Sequence, residues 1–323
     1  MTLHISESDV RAVFTMPMAI EAVEEISRKQ ASGEVIVHPR RRFEFPGGRF
    51  FHHMAAADYT ANLVATKQYT YVNGRLIFTV SLYSMETGEL LALIEGDYLG
   101  RRRTGAASGV ATKYLARADA KVAAIIGTGG QARTQLEAIA AVRKLESVAV
   151  YGRDTARREE YAREMSERLK ISVRTAGSSA EAVRGAHIVC TATTSSQPVL
   201  FGADLAAGVH INAIGANHMR KRELDEAAVL KADLVVVDSI EQSRQEAGDL
   251  VLGFESDSSR WDHVAELSQI VAEKTTGRTS NSQVTLFKSN GIAAWDLAAA
   301  ARVHEEVTKR KMGRPLPLWQ PAS

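Results

Sequence analysis

The chain of 323 residues has a single cysteine, Cys190, so no internal disulfide can form and a reducing compartment is expected. Cys190 sits in an apolar run, where an inert buried thiol is expected rather than a nucleophile. No apolar run reaches the roughly 18–20 residues that cross a bilayer. Residues 1–7 lack the basic flank and apolar stretch of a signal peptide, so a cytoplasmic protein is expected. Neither sign of charge dominates. With 40 Lys and Arg against 38 Asp and Glu, the net charge of +2 calls for neither nucleic acid nor an anionic membrane as partner. No His, Cys and carboxylate cluster has metal-ligand spacing, and no serine nucleophile motif occurs. Repeats, low-complexity tracts and long Pro/Ser linkers are also missing.

What the chain does have is a change of rhythm. Its length suits about two domains. The first part reads as α+β: a helix over 18–29 behind Pro17, then strands over 35–45, 63–71, 75–84 and 90–97. Hairpin signals stand at Val72-Asn73-Gly74 and Glu86-Thr87-Gly88. A helix rich in small residues is expected over 103–116. From Lys121 onward, short apolar strands (122–126, 148–151, 187–191, 210–214, 234–238) alternate with helices. That alternation implies right-handed βαβ units and a parallel sheet. The fold class is therefore α/β: a Rossmann-type domain over 119–291, plus an α+β domain formed by 1–118 and the C-terminal helix within 292–323; the motifs and the resemblance below imply dinucleotide binding for the first and substrate binding and dimerisation for the second.

The run Ile126-Gly127-Thr128-Gly129-Gly130-Gln131-Ala132 fits G-x-G-x-x-A. Gly127 would make the tight turn, Gly129 would let the backbone approach a pyrophosphate, and Ala132 would permit close helix–strand packing. A glycine triplet alone is weak evidence. Here it follows an apolar strand, opens a helix and precedes a second strand, which is the context it needs. The second strand ends Tyr151-Gly152-Arg153-Asp154. The place of the acid that binds the adenosine ribose in NAD enzymes falls on Gly152, and Arg153 follows, with Arg157 and Arg158 nearby. An arginine there can pair with a 2′-phosphate, so NADP is expected over NAD. A shift of one residue would make Asp154 the ribose ligand and favour NAD.

These features, with further motifs, make the chain resemble the ornithine cyclodeaminase/mu-crystallin family nearly end to end. The motifs are RTGAASGVATKYL (103–115), the Gly127 turn with Gln131 and Ala132, INAIGAN (211–217), RELD (222–225) and FKSNG (287–291). The resemblance implies a homodimer paired through the N-terminal domain, with the active site in the interdomain cleft. It also implies a nicotinamide cofactor and a small imino or keto acid substrate. Arg41, in the run 40–42 whose neighbours could substitute for it, matches an arginine that contacts the substrate carboxylate. Arg103 matches a second, and Lys67 matches the lysine beside the reacting carbon. A guanidinium fork suits a carboxylate, and a lysine among apolar residues can act as an acid with a burial-sensitive pKa. Thr104, Thr128, Gly130, Thr193 (in the loop 193–196) and Ser289 match cofactor-lining positions.

At Asn217 the chain departs from the cyclodeaminases, which carry an aspartate in that segment. An amide cannot take a proton as a carboxylate does. His52, His53 and His218 are alternative acid/base candidates, and Asp296 reads as a helix-start charge rather than a catalyst. The resemblance thus implies a reductase delivering hydride from NADPH to C2 of an α-imino acid, such as a five- or six-membered cyclic ketimine. An amino-acid dehydrogenase of alanine type, an ornithine cyclodeaminase and a non-enzymatic NADPH-binding protein are the alternatives.

Overall fold

In the computed structural model, which describes residues 1–318, the chain divides by its internal contacts into two units. One comprises Met1–Thr104 with the residues from Ile292 on, and the other Gly105–Gly291. The division falls inside the helix Asp97–Leu115, whereas the change of rhythm in the sequence lies at 118/119.

The first unit is built on a seven-stranded sheet. Its order is Arg314–Leu316, Thr2–Ile5, Leu90–Glu95, Arg75–Ser84, Leu63–Val72, Arg49–Asp58, Val35–Phe45. Among the described residues only the Thr2–Ile5 pairing with Leu90–Glu95 is parallel; the remaining neighbours are antiparallel. Between Leu63–Val72 and Arg75–Ser84 the turn is Asn73-Gly74, both at positive φ (51° and 79°), as a two-residue hairpin of matching twist requires. The helix Ala293–Lys309 packs across this sheet, and Met16–Ala31 packs on that helix.

The sequence reading also lacks Thr2–Ile5, Glu7–Val13 and Arg314–Leu316, and two further departures bear on the site. The strand Arg49–Asp58 has no counterpart in that reading, because its Ala-rich second half gives little β signal and its place is decided by pairing on both sides. The helix expected from residue 103 begins instead at Asp97. Its cap comes from far away: Glu7 Oε1 accepts the Asp97 and Tyr98 N–H groups at 2.6 and 3.1 Å. No local residue pattern could announce a cap supplied from 90 positions upstream.

The second unit is wound around an eight-stranded, all-parallel sheet among the described residues, and its central strands are almost wholly buried, as helices on both faces demand, while the edge strand Ser172–Thr175 is largely exposed. From Val122–Ile126 the chain builds outward through Ser147–Tyr151 and Ser172–Thr175. It then crosses back to Ile188–Thr191 on the other side of Val122–Ile126, and beyond that strand the sheet runs His210–Ala213, Thr285–Lys288, Leu234–Val237, Ala265–Glu266, the last strand of the unit in chain order, Thr285–Lys288, being inserted between His210–Ala213 and Leu234–Val237. The order reverses between Val122–Ile126 and Ile188–Thr191, and the crevice beyond their carboxyl ends is where such sheets take ligands. Among the described residues no helix is long and apolar enough to cross a membrane.

The remote cap can be tested directly. Glu7→Ala should leave two N–H groups of the Asp97–Leu115 helix unpaired and cost about 1–2 kcal/mol. A thermal melt should show a drop of a few degrees, and an unchanged midpoint would mean that water replaces the carboxylate without loss.

Candidate functional site

In the first unit the sequence brings three ionic side chains to one buried place. Lys67 lies mid-strand in Leu63–Val72, opposite Met54 and Val80, and is 4% exposed. Its Nζ donates to Asp296 Oδ1 at 2.9 Å, and Arg103 Nε donates to the same oxygen at 2.9 Å. Asp296, on the Ala293–Lys309 helix, is 1% exposed. Space for the lysine tip is made by Gly100, one turn before Arg103: a Cβ there would stand 3.0 Å from Lys67 Nζ. The Phe78 ring lies 5.5 Å from the ammonium.

Burial pushes Lys67 down to about 8, with Arg103 and Arg40 assisting and Asp296 opposing. Burial alone would raise Asp296, but Arg103 and Lys67 outweigh it and hold the carboxyl below its ordinary value. The triad is not saturated. Arg103 Nη1 and Asp296 Oδ2 are both buried without a hydrogen-bond partner. A buried guanidinium with a spare donor beside an ammonium of lowered pKa can bind an anion and pass a proton.

Arg41 stands elsewhere. It is exposed on the opposite face of its strand, while Arg40 is buried on the Lys67 side, with Nη2 4.0 Å from Met54 Sδ. The cause is a register shift between His38 and Arg41 against Arg49–Asp58, since one extra residue exchanges the two faces. His52 is buried with its Nδ1 2.9 Å from the Tyr69 hydroxyl and its ring on Phe50; His53 stacks on Phe43. His52 lies on the Lys67 face of the sheet, in a cluster with Phe50, Tyr69 and the Phe78 ring that also meets Lys67, while His53 points to the other face. Asp296, read in the sequence as a helix-start charge, is the residue that reading missed. Nothing local distinguishes it, since its partners lie 229 and 193 positions away. Thr104 spends its hydroxyl on Gly100 O at 2.8 Å.

In the second unit the strand Val122–Ile126 leads into the Gly127 turn and the helix Gly130–Val142. Gly127 has φ +118° and donates to Tyr151 O at 2.8 Å, and a Cβ on it would lie 2.4 Å from Ala192 O, so only glycine fits. Gly129 is the helix N-cap, with exposed backbone and no side-chain cap. Ala132 is buried, and its carbonyl accepts the Tyr161 hydroxyl. The Gln131 side-chain oxygen has no partner. At the end of Ser147–Tyr151, Gly152 is followed by an exposed Arg153, and Asp154 caps the helix Thr155–Leu169 by accepting from Arg157 N at 3.0 Å.

The loops beyond the neighbouring strands are stitched by a buried ionic network that sequence reading did not single out. Glu223 accepts from Thr191 Oγ1 (2.8 Å), Thr193 N (2.6 Å) and Gly215 N (2.6 Å). Burial raises its pKa, against the pull of Lys288. Lys288 Nζ sits 3.1 Å from Asp249 Oδ2 and donates to the carbonyls of Ala213 and Ala216. Asp249 in turn accepts the N–H groups of Glu223 and Leu224. The RELD and FKSNG motifs are thereby two halves of one device. Ser289 gives its hydroxyl to Asp238 Oδ2 at 3.1 Å. Asn217 and His218 are half-buried in the loop beyond His210–Ala213. Cys190 is buried beside Gln135, and burial and Glu223 push its thiol well up, away from reactivity.

A doubly wound parallel sheet with a glycine turn at its switch point is a dinucleotide-binding fold, here joined to a unit carrying a buried Lys–Asp–Arg triad. A model of the ornithine cyclodeaminase/mu-crystallin family matches residues 2–311, and the chain belongs to that family. It is 40% identical over 235 residues, 72% of each chain, to a Delta(1)-pyrroline-2-carboxylate reductase of Bacillus cereus. Its structure is similar to that of the Thermococcus litoralis Delta(1)-pyrroline-2-carboxylate reductase in complex with NADH and L-proline, with TM-score 0.93 and 36% identity over 97% of this chain and 100% of the other. An archaeal alanine dehydrogenase dimer with bound NAD aligns with TM-score 0.92 and 30% identity over 98% of this chain and 99% of that one.

Removing the shared carboxylate leaves two buried cations facing each other. Asp296→Asn should cost about 3–5 kcal/mol, the scale for breaking a buried ion pair by deleting one partner. Chemical denaturation should register the loss. A cost below about 1 kcal/mol would mean that the triad is solvated.

Proposed function

We propose that this protein is an NADPH-dependent reductase of small α-imino acids, with cyclic ketimines such as pyrroline-2-carboxylate or piperideine-2-carboxylate as substrates. The observation that carries the reading is the unsaturated triad: Arg103 Nη1 lies buried without a partner beside an ammonium lowered to about 8. The reductases among the relatives, one solved with NADH and L-proline, support the reaction class.

The second unit suits a nicotinamide dinucleotide. Gly127 turns the chain where no other residue fits, and Gly129 presents bare backbone at a helix N-terminus, where phosphate is stabilised. Gln131 and Ala132 lie in the first turn of that helix, and Thr193 and Ser289 in the loops beyond Ile188–Thr191 and Thr285–Lys288. Gly152 in place of an acid, with Arg153 exposed beside it and Asp154 engaged as a helix cap, favours the 2′-phosphorylated form. When bound, the nucleotide supplies hydride to C2 of the substrate.

The first unit does the rest. Arg103, with Arg40 in the role the sequence assigned to Arg41, holds the substrate carboxylate. Lys67 gives its proton to the imine nitrogen as the nitrogen gains electrons. Asp296 keeps Lys67 charged and aimed, and so acts through it. Asn217 offers only an amide where cyclodeaminases have an aspartate. Cyclising a diamino acid requires a group to take the amine proton, so the reading excludes useful conversion of ornithine to proline.

Assembly follows from the outer hairpins. Phe43 and Phe45 near the end of Val35–Phe45, and Val72, Leu76 and Ile77 at the hairpin of Leu63–Val72 and Arg75–Ser84, are exposed at one end of the same sheet, apolar side chains of the kind that mark an interaction surface. A second copy of this chain is the partner that suits them, in keeping with the dimeric alanine dehydrogenase neighbour.

Four measurements test these points. A proton donor works while protonated, so kcat/KM for imine reduction should be level below about pH 8 and fall tenfold per unit above it. A bound carboxylate adds negative charge near Lys67, so the corresponding limb in kcat should lie higher. Lys67→Ala should lower kcat/KM by about 10²-fold or more. Assays of NADPH and NADH oxidation with both cyclic imines, with pyruvate plus ammonium, and of ornithine turnover test the substrate class. Rapid ornithine-to-proline turnover, or activity of Lys67→Ala within a few-fold of the parent, would reject the mechanism. For the assembly, Ile77→Asp should shift the mass seen by light scattering from dimer to monomer, and an unaltered mass would place the contact elsewhere.

A further inference from the structure

The Gly127 turn packs closely against the residue that follows the neighbouring strand. A Cβ added to Gly152 would stand 2.8 Å from Thr128 Cγ2 and 3.2 Å from its Oγ1. Real Cβ atoms do not approach so closely, so something would have to move. The backbone of the turn is held. Arg133 Nη1 donates to Thr128 O at 2.8 Å, and Arg133 is itself anchored by Glu164 at 2.7 Å and by the Tyr161 ring 5.4 Å away. On the other side Gly127 donates to Tyr151 O and lies tight against Ala192 O. The strain would fall on the Thr128 side chain, which is β-branched and has few alternative rotamers.

Position 152 is also where a dinucleotide-binding fold carries the acid that binds the adenosine ribose. We propose that Thr128 and Gly152 form a packed pair that sets which class of nucleotide the second unit accepts. Thr128 occupies the space in which an acidic side chain at 152 would begin, so no ribose-binding carboxylate can be housed there. The adjoining groups suit a phosphate instead. Arg153 and Arg157 are exposed, and Arg158 donates to Gly152 O at 3.0 Å. The nearest carboxylate, Asp154, is committed to capping the helix Thr155–Leu169. Thr128, the variable position of the glycine motif, is thus a specificity-determining residue, and an acid at 152 is unusable until Thr128 is made smaller. The claim about nucleotide class rests on the reading above that the 2′-phosphate is recognised; the claim about packing does not.

Two pairs of variants separate these claims, with Kd for NADPH and NADH read by fluorescence titration and folding followed by thermal melts. Gly152→Ala should weaken both nucleotides at least tenfold, and Thr128→Ala in the same chain should recover most of the loss. If Gly152→Ala is too unstable to titrate, Thr128→Ala should restore its melting temperature. Gly152→Asp alone should bind NADH no better than the parent, whereas Thr128→Ala with Gly152→Asp should bind NADH at least tenfold more tightly than Gly152→Asp and prefer it to NADPH. Gly152→Ala within twofold of the parent, or no recovery by Thr128→Ala in either titration or melt, overturns the packed pair. Gly152→Asp alone matching the double variant on NADH overturns the role in specificity, as does a double variant no better than the single. A parent that binds NADH more tightly than NADPH overturns the 2′-phosphate reading and the claim on nucleotide class, while the alanine pair still reports on the packing.

Discussion

A single carboxylate oxygen, Asp296 Oδ1, accepts from both Lys67 and Arg103, and the chemistry of the first unit depends on that sharing. Burying two cations is costly. A lone carboxylate between them repays it only in part, since its second oxygen and one Arg103 nitrogen stay without partners. Such an arrangement is poor as a device for stability. What it leaves open is charge and a donor: an anion beside Arg103 would complete the balance that Asp296 alone does not. Burial first, and the neighbouring guanidinium second, bring Lys67 down to about 8, against the pull of Asp296.

The triad also dictates local architecture. Asp296 lies in the first turn of the Ala293–Lys309 helix, so that helix must cross the sheet with its start over Lys67. Gly100 clears the lysine tip, and Glu7 fixes the beginning of the helix that carries Arg103. Each is ordinary alone. Together they hold three flexible side chains in one geometry, the preorganisation that proton transfer and anion binding require.

The second unit solves a different problem by the same means. Its loops must present backbone toward a ligand, which leaves little side chain with which to hold them in place. Glu223 gathers N–H groups from the loops beyond two adjacent strands, while Lys288 and Asp249 tie the segment carrying Glu223 to a third. A buried ionic network at the carboxyl ends of parallel strands thus does for the loops what the apolar strands do for the sheet.

Features written in contiguous residues were legible from the sequence alone. The short apolar strands announce a parallel sheet because both faces must be buried. The Gly127 turn reads as a dinucleotide motif because glycine there is a backbone requirement, and Asn73-Gly74 reads as a hairpin for the same kind of reason. Lys67 and Arg103 were reached through the resemblance of whole motifs. The tertiary structure decided whatever depends on pairing across long separations. A bulge, which follows from how two strands register, turned Arg40 rather than Arg41 toward Lys67. Asp296 became the partner of two cations because the helix that bears it packs across a sheet formed some 200 residues earlier. Local pattern records which face a residue prefers, but the charge it meets there is set by segments that only folding brings together.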